Sequence, residues 1–301
     1  MSRPEHSRTY STNLSSGSGS RALEGRVGIV TGASRGIGAG IARNLASKGC
    51  NLVLNYTSDS SEKITEELAE ELQSQHGIRA VIVQANMGSE TGPKHVVEVA
   101  KNNFQHPKTG KFQLDIIINN AGVAGNNTID KVNAEDFARQ YNINVRGPLF
   151  LLQAALPYLP TDRSGRIVNL SSVSSSLGYI SQSVYGGTKA ALEAMTRTWS
   201  RELAERATVN AINPGPVATD MYGTTDQQFV DYNRPFLQNT PLATPRKGID
   251  PEDQYDYYVS VGGRPGYSDE VAGVVGMLCL PEAAWTTGSV ICANGGMKFS
   301  F

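Results

Sequence analysis

The sequence is poor in the residues that build metal centres and disulfide frameworks. Its three cysteines, Cys50, Cys279 and Cys292, form no CxxC pair. So sparse and odd a count in a chain of 301 residues indicates a reducing compartment, which we expect to be the cytoplasm. The four histidines show no HExxH or other ligand spacing, so we expect no metal site.

The chain also lacks a surplus of positive charge and a long apolar run. Lys and Arg number 27 against 28 Asp and Glu, which gives a formal net charge of -1. Binding to nucleic acid requires a basic surplus, so we expect no nucleic-acid partner. No run approaches the roughly 20 apolar residues that span a bilayer, so we expect no membrane segment and a small-molecule partner instead.

The first residues differ in composition from the rest. Residues 1–20 are rich in Ser, Gly and Arg and poor in apolar side chains, so they cannot bury enough surface to offset the entropy of ordering. We interpret residues 1–24 as a disordered tail. A transit peptide is the alternative, because such peptides are Ser- and Arg-rich, but Glu5 and the lack of an amphipathic stripe count against it.

From Arg26 onward, short β-branched runs alternate with longer stretches of helical period. This alternation is typical of βαβ units, and the continuously apolar runs indicate strands covered by helices on both faces. We therefore predict one α/β domain over 25–301, with a doubly wound, seven-stranded parallel sheet. The predicted strands are Val27–Thr31, Leu52–Leu54, Ala80–Val83, Ile116–Ile118, Arg166–Leu170, Val209–Ile212 and Ser289–Cys292. The predicted helices are Ile37–Lys48, Glu62–Gln75, His95–Asn103, Ala134–Tyr158, Val184–Arg206 and Asp269–Leu280.

One long region interrupts this pattern. Met221–Tyr267 is rich in Pro, Gly, Tyr and Asp, and we predict it to be irregular. So long a connection inside a compact domain is usually a functional lid or a disordered insert. It follows the sixth strand at its carboxyl end, where open parallel sheets bind ligands, so we expect a substrate-loop insert at about 221–267.

A glycine-rich turn follows the first strand. Gly32 lets the chain turn sharply, Gly36 lets the backbone approach a pyrophosphate, and Gly38 lets the following helix pack closely on the strand. The spacing is GxxxGxG, which alone also suits an ordinary βα loop, but its position favours a dinucleotide at the helix N-terminus. The residues expected to contact the cofactor here are Gly32, Ser34, Arg35, Gly36, Ile37 and Gly38.

The end of the second strand indicates which dinucleotide binds. An acidic residue there would bind the ribose hydroxyls of NAD, yet the run Asn55-Tyr56-Thr57-Ser58 holds no carboxylate before Asp59. Arg35 could bind a 2′-phosphate through its guanidinium, or it could be a solvated surface arginine. Hydroxyls of the run add donors, so we predict NADP(H), with Asn55, Tyr56, Thr57 and Ser58 among the residues that bind it.

A tyrosine and a lysine lie four residues apart at the start of a predicted helix, and therefore on one helical face. Free tyrosine has a pKa near ~10, but a neighbouring ammonium favours the phenolate and lowers that pKa. We therefore expect Lys189 to bring Tyr185 closer to the range that suits proton transfer at neutral pH.

The sequence alone does not decide the roles of two further polar residues. Ser172 follows the fifth strand and could hold a substrate oxygen, but it lies in a serine run at 171–176. Asn144 lies within the predicted helix Ala134–Tyr158, where its amide competes with the backbone. It is either a surface residue or a deliberate irregularity that holds water.

Together these motifs resemble the short-chain dehydrogenase/reductase family from about Arg26 to Met297. The matching stretches are Thr31–Gly38, Asn119–Gly122, Asn144, Ser172, Tyr185-x-x-x-Lys189 and Pro214-Gly215. The spacing from Ser172 to Tyr185 is the usual one of this family and favours Ser172 within the serine run. The resemblance implies a single-domain Rossmann fold and a catalytic tetrad of Asn144, Ser172, Tyr185 and Lys189, with Asn144 placing a water in a proton relay through Lys189.

The resemblance also implies further cofactor contacts. The positions that contact adenine in the family match Asn86 and Met87. The positions beside the cofactor match Asn120, Ala121 and Gly122, and Tyr185 and Lys189 are also expected to contact it. The stretch that holds the carboxamide end of nicotinamide matches Pro214, Gly215, Val217 and Thr219. The chain looks most similar to fungal polyhydroxynaphthalene reductases and to 3-oxoacyl-carrier-protein reductases. The insert is longer than most of the family carries, so no substrate is transferred.

We therefore expect an NADP(H)-dependent enzyme that reduces a ketone with Tyr185 as the general acid/base. The alternatives are an NAD-linked alcohol dehydrogenase working in the oxidising direction and a non-catalytic NADPH-binding protein. The predicted helices Ala134–Tyr158 and Val184–Arg206 are apolar on more than one side, so a second subunit could cover them. Because the family commonly forms tetramers, we expect a homotetramer.

Overall fold

Seven parallel strands form one sheet in the computed structural model, which describes residues 21–223 and 227–299. The strand order is β3-β2-β1-β4-β5-β6-β7, so the direction of winding reverses between β1 and β4. This confirms the predicted doubly wound, seven-stranded Rossmann sheet. The strands are β1 Val27–Val30, β2 Asn51–Tyr56, β3 Ala80–Gln84, β4 Ile116–Asn119, β5 Gly165–Leu170, β6 Ala207–Pro214 and β7 Val290–Ala293.

Helices cover both faces of the sheet. Successive residues of a strand point to opposite faces, so Ile116 and Ile118 of β4 pack in one apolar cluster and Ile117 in the other. Helices α1, α2 and α10 contribute to the first cluster, and α3, α5 and α6 to the second. The helices are α1 Gly36–Ser47, α2 Glu62–His76, α3 Gly92–Phe104, α4 Ala134–Tyr141, α5 Gly147–Ala155, α6 Ser183–Glu202, α7 Asp220–Gly223, α8 Gln227–Gln238, α9 Glu252–Val261 and α10 Ser268–Cys279.

The predicted single helix Ala134–Tyr158 is wrong in detail. A π-helical segment, Asn142–Arg146, separates α4 from α5, and a short 3₁₀ turn follows α5. The physical reason lies at Pro148, which has no N–H to donate to the carbonyl of Asn144 four residues earlier. Such π segments concentrate at functional sites, and this one carries Asn144.

The predicted irregular region Met221–Tyr267 is also wrong in detail, because its described part contains α8 and α9 and the end of α7. Leu237, Ala243 and Val261 form a small apolar cluster of their own. The apolar residues of α8, Phe229, Val230, Phe236 and Leu237, recur at helical spacing, so the sequence did carry a signal for this helix. The buried Arg264 then ties the insert to α10 through a bidentate ion pair with Glu270 (2.8 Å).

Two chain boundaries also differ from expectation. Residues 1–20 of the predicted tail lie outside the described residues, but Leu23 is buried and its N–H bonds the carbonyl of Lys48 (2.8 Å), so residues 21–24 belong to the folded part. Helix α6 ends at Glu202 rather than Arg206, because Ala207 already pairs with Gly165 in the sheet. Within residues 21–223 and 227–299, no helix is long and apolar enough to cross a membrane.

Candidate active site

A cleft of about 570 Å³ opens where the strand order reverses, at the carboxyl ends of the central strands. It is lined by the turn after β1 and by residues that follow β2 to β6. Open α/β sheets bind ligands at this topological switch point. The fold therefore brings residues that are far apart in sequence to one edge of the sheet.

The glycine-rich turn is built as the sequence predicts. Gly32 and Gly36 have φ values of +61° and +54°, which side chains rarely adopt. A Cβ on Gly38 would lie 2.2 Å from the carbonyl oxygen of Gly32, so only glycine lets α1 approach the strand so closely. The free N–H groups at the start of α1 then face the cleft, where they suit a diphosphate.

Most residues predicted to bind the cofactor do line this cleft. Those found there are Gly32, Ser34, Arg35, Gly36, Ile37, Gly38, Tyr56, Thr57, Ser58, Asn86, Met87, Asn120, Ala121, Gly122, Tyr185, Lys189, Pro214, Gly215, Val217 and Thr219. Ser172, predicted to be catalytic, lies among them. That they contact a cofactor remains a prediction.

Asn55 departs from the prediction. Its side chain is fully buried and does not line the cleft. Its Oδ1 accepts a hydrogen bond from the N–H of Gly32 (3.2 Å), while its Nδ2 donates to the carbonyls of Tyr56 and Ala85 (both 3.0 Å). Asn55 therefore braces the glycine-rich turn against the ends of β2 and β3, and its side chain does not line the cleft.

Arg35 lies at the rim of the cleft, with its side chain 54% exposed. Its guanidinium pairs with Asp220 (3.0 Å) and donates to the hydroxyl of Ser61 (3.1 Å). Among the described residues that line the cleft, Asp220 is the only acidic one. Since Asp220 begins α7 and does not end β2, the end of β2 keeps the neutral hydroxyl character that disfavours NAD. Ser61 was missed by the sequence reasoning.

Tyr185 and Lys189 lie one turn apart on α6, as predicted. The Lys189 Nζ is 5.6 Å from the centre of the Tyr185 ring, and it donates a hydrogen bond to the carbonyl of Leu170 at the end of β5 (2.6 Å). Ser172 lies close enough to Tyr185 to influence the protonation of its phenol. The structure thus brings together Ser172, Tyr185 and Lys189, three of the four predicted catalytic residues, at the edge of one cleft.

The protonation states differ from the expectation. Burial raises the pKa of Tyr185 to about 12, and the nearby hydroxyl of Ser172 only partly opposes this. Burial also lowers the pKa of Lys189 to about 8. In the protein by itself the pKa of Tyr185 is therefore not brought towards neutrality, because desolvation is the largest influence on it. That Lys189 favours the phenolate remains a prediction. At neutral pH the site holds a protonated phenol beside a lysine that is mostly cationic.

Asn144 is buried within the π-helical segment, so the interpretation that it is a surface residue is excluded. Its Nδ2 donates to the carbonyl of Val123 (2.8 Å) and to Thr188 Oγ1 (3.0 Å), and its Oδ1 accepts from the N–H of Val123 (2.9 Å). It does not line the cleft. A Cβ on Gly122 would lie 3.4 Å from both Asn144 Oδ1 and Lys189 Nζ, so the two residues flank Gly122. That Asn144 places a water remains a prediction.

The sequence reasoning missed two groups of residues that line the cleft. One group is polar and contains Asn126, Ser174 and Gln182; the other is aromatic and contains Tyr179, Tyr222 and Phe229. Gln182 could have been found, since it precedes Tyr185 by three residues and so lies on its helical face. Asn126 and the insert residues carry no comparable signal.

Comparisons with known proteins agree with this geometry. The model of the short chain dehydrogenase family matches residues 26–229, so the chain belongs to this family and is an oxidoreductase. The chain is 50% identical over 300 residues to the L-xylo-3-hexulose reductase of Hypocrea jecorina, covering 93% of this chain and 99% of that protein. It is also 50% identical over 301 residues to the L-xylulose reductase of Aspergillus niger, covering 93% and 100%.

A solved structure shares the whole fold. A blue fluorescent protein from a metagenomic library, crystallised in complex with NADPH, superposes with a TM-score of 0.78 at 31% identity, covering 93% of this chain and 100% of that one. The expected resemblance to hydroxynaphthalene reductases is confirmed at a lower level, with 35% identity over 278 residues to the Arp2 protein of Metarhizium brunneum, covering 92% and 96%.

Proposed function

We propose that this protein is an NADP(H)-dependent oxidoreductase that reduces a ketone to a secondary alcohol, with Tyr185 as the proton donor. The observation that supports this most directly is the grouping of Ser172, Tyr185 and Lys189 at one edge of the cleft. Family membership and the reductases that match over nearly their whole length point the same way.

The cleft fits a dinucleotide phosphate. The glycine-rich turn leaves room for a diphosphate, because Gly36 and Gly38 have no side chain where a Cβ would meet Thr219 (3.0 Å) or backbone (2.2 Å). Arg35 would hold the 2′-phosphate with Thr57, Ser58 and Ser61 nearby. The relative crystallised with NADPH supports the same cofactor. When bound, NADPH supplies the hydride that adds to the carbonyl carbon.

The residues of this chain supply position and a proton. Ser172 and Tyr185 hold the carbonyl oxygen by hydrogen bonds, which polarises the carbonyl. Tyr185 would then transfer its phenolic proton to that oxygen. The ammonium of Lys189 stabilises the phenolate that remains, and this matters because burial alone raises the pKa of Tyr185 to about 12.

We propose an open-chain ketose as the substrate class. Two proteins that are 50% identical to this chain are named for the reduction of L-xylo-3-hexulose and L-xylulose. The cleft is lined by polar side chains beside Ser172, as a polyhydroxy ketone requires, and by the aromatic residues Tyr179, Tyr222 and Phe229.

Oxidation of NADPH in the presence of L-xylulose, L-xylo-3-hexulose and a hydroxynaphthalenone tests this proposal. We expect turnover with NADPH that exceeds turnover with NADH. Tight NADPH binding without reduction of any ketone would favour the non-catalytic alternative. Faster oxidation of alcohols with NAD would favour the NAD-linked dehydrogenase.

We also propose that the protein assembles as a homotetramer. Phe137 of α4, Leu149 of α5 and Leu156 beyond it expose 46%, 40% and 38% of their surface on neighbouring helices, and a second copy would cover them. Light scattering coupled to size exclusion should give four times the mass of one chain. A monomer mass would contradict the assembly without affecting the chemistry.

We further propose a cytoplasmic location. The sequence has only three cysteines in 301 residues and no CxxC pair among them, as suits a reducing compartment. Fluorescence microscopy of the full chain fused to a reporter at its C-terminus tests this. A signal confined to an organelle or to the medium would contradict it.

A further inference from the structure

A row of hydrogen-bonded side chains extends from Ser172 along the lining of the cleft. Ser172 donates to Ser174 Oγ (3.1 Å), Ser174 donates to Gln182 Oε1 (2.6 Å), and Gln182 Nε2 donates to Asn126 Oδ1 (2.9 Å). All four residues line the cleft. We call this set the polar row.

The row draws on three separate parts of the chain. Ser172 and Ser174 follow β5, Gln182 immediately precedes α6, and Asn126 lies in the segment after β4. Gln182 and Ser174 are each 8% exposed, so their amide and hydroxyl are largely withdrawn from water. Burying polar groups costs free energy even when they hydrogen-bond to one another, so a functional role for the row is favoured over a purely structural one.

The far end of the row has unused hydrogen-bonding capacity. An asparagine side chain carries two N–H donors and a carbonyl acceptor, and Gln182 occupies only the acceptor of Asn126. The Asn126 Nδ2 has no partner among the described residues of the protein, although Asn126 lines the cleft. A ligand in the cleft therefore meets a fixed donor at a set distance along the row from Ser172.

Aromatic residues that line the same cleft complement this arrangement. Tyr179 is largely buried and packs against Phe236 (5.0 Å between ring centres) and edge-on against Phe229 (6.1 Å). Its hydroxyl is held by Met297 Sδ (2.8 Å). The cleft thus presents both hydrogen-bonding groups in series and aromatic rings, which suit the hydroxyls and the C–H groups of a polyhydroxy chain.

We infer that Asn126, oriented by Gln182, binds a hydroxyl of a polyhydroxy ketone beyond the carbonyl that Ser172 and Tyr185 hold, and that it determines specificity for such ketones. The inference rests on the proposed ketone reduction and adds the residues that select the substrate. A site with a fixed polar group favours the ligand that satisfies it over an analogue that leaves it unpaired.

The test compares two five-carbon ketones, L-xylulose and 2-pentanone, which share a carbonyl at C2 and differ in their hydroxyls. Steady-state kcat/KM is measured with NADPH for the wild type and for Asn126→Ala. We expect Asn126→Ala to lower kcat/KM for L-xylulose by about five- to tenfold, mostly through KM, as the loss of one hydrogen bond predicts. The value for 2-pentanone should change less than about twofold.

Asn127→Ala is the matched control, because Asn127 is the adjacent asparagine, bonds Asp136 (3.4 Å) and does not line the cleft. It should leave the ratio of the two ketones unchanged. Inhibition by xylitol gives a second measurement, and its KI should rise in Asn126→Ala by the same factor. If Asn126→Ala fails to bind NADPH, Asn126→Ser, which keeps an acceptor for Gln182, should show a smaller shift in the same direction.

The outcomes separate the two proposals. Equal losses on both ketones in Asn126→Ala, or a wild type that prefers 2-pentanone, would overturn the inference and leave ketone reduction standing. A wild type that binds NADPH but reduces neither ketone, nor any other in the panel above, would contradict the proposed function itself.

Discussion

The ammonium of Lys189 lies 5.6 Å from the centre of the Tyr185 ring, and it is held there by a hydrogen bond to a backbone carbonyl rather than by the phenol. Burial raises the pKa of Tyr185 to about 12 and lowers that of Lys189 to about 8. The site therefore favours a protonated tyrosine next to a cation that is easily lost, which suits a proton donor in a reduction.

Replacement of Tyr185 by Phe should remove the proton donor while leaving the shape of the cleft. We expect kcat for ketone reduction to fall by about 10²–10⁴-fold, with the Kd for NADPH nearly unchanged by fluorescence titration. Tyr158→Phe is the control, since Tyr158 packs on Phe112 (5.3 Å) away from the cleft. Retained turnover in Tyr185→Phe would contradict the assignment of the proton donor.

The pH profile should depend on Lys189. Because its pKa is lowered to about 8, the ammonium is present below that pH and is lost above it. We expect kcat/KM for the ketone to be highest below about pH 8 and to fall as pH rises further. In Lys189→Arg the guanidinium stays charged, so the residual activity should lack this fall; an identical fall in that variant would assign it to another group.

Arg35 should distinguish NADPH from NADH. Removing its guanidinium in Arg35→Ala should raise the Kd for NADPH by about 10- to 100-fold, the effect of one charge-assisted hydrogen bond, while the Kd for NADH changes little. Arg43→Ala is the control, because Arg43 pairs with Glu71 (2.7 Å) outside the cleft. A loss of similar size for both cofactors would show that Arg35 does not bind the 2′-phosphate.

Two glycines should respond oppositely to alanine. A Cβ on Gly38 would meet the carbonyl oxygen of Gly32 at 2.2 Å, so Gly38→Ala should lower the free energy of unfolding by about 1–3 kcal/mol and weaken NADPH binding. Gly273 lies exposed within α10 with no atom within 4 Å of the added methyl. Gly273→Ala should therefore raise the free energy of unfolding by about 0.5–1 kcal/mol. Urea titrations measure both, and a stable Gly38→Ala would contradict the close packing.

Local patterns predicted the elements that are regular and continuous. The β-branched runs located all seven strands, and the spacing of Tyr185 and Lys189 placed both on one face of α6. The patterns failed where a side chain acts across the fold. Asn55 looks like a ligand contact in sequence, but its amide is turned inward to brace Gly32.

The same dependence on contacts across the fold explains why the polar residues that line the cleft were not predicted. Asn126 and Gln182 are 56 positions apart and meet only because β4 and β5 are neighbours in the sheet. Likewise, Leu237 of α8 and Val261 of α9 are far apart in sequence and pack together only in the folded insert.

The sequence by itself determined the class of fold, the glycine-rich turn and the residues of the tyrosine–lysine pair, because each depends on neighbours within a few positions of the chain. Only the tertiary structure decided how deeply the pair is buried, which of its two protons is held more tightly, and which polar side chains face the substrate. Those properties depend on desolvation and on contacts between segments far apart in the chain, and no local pattern records them.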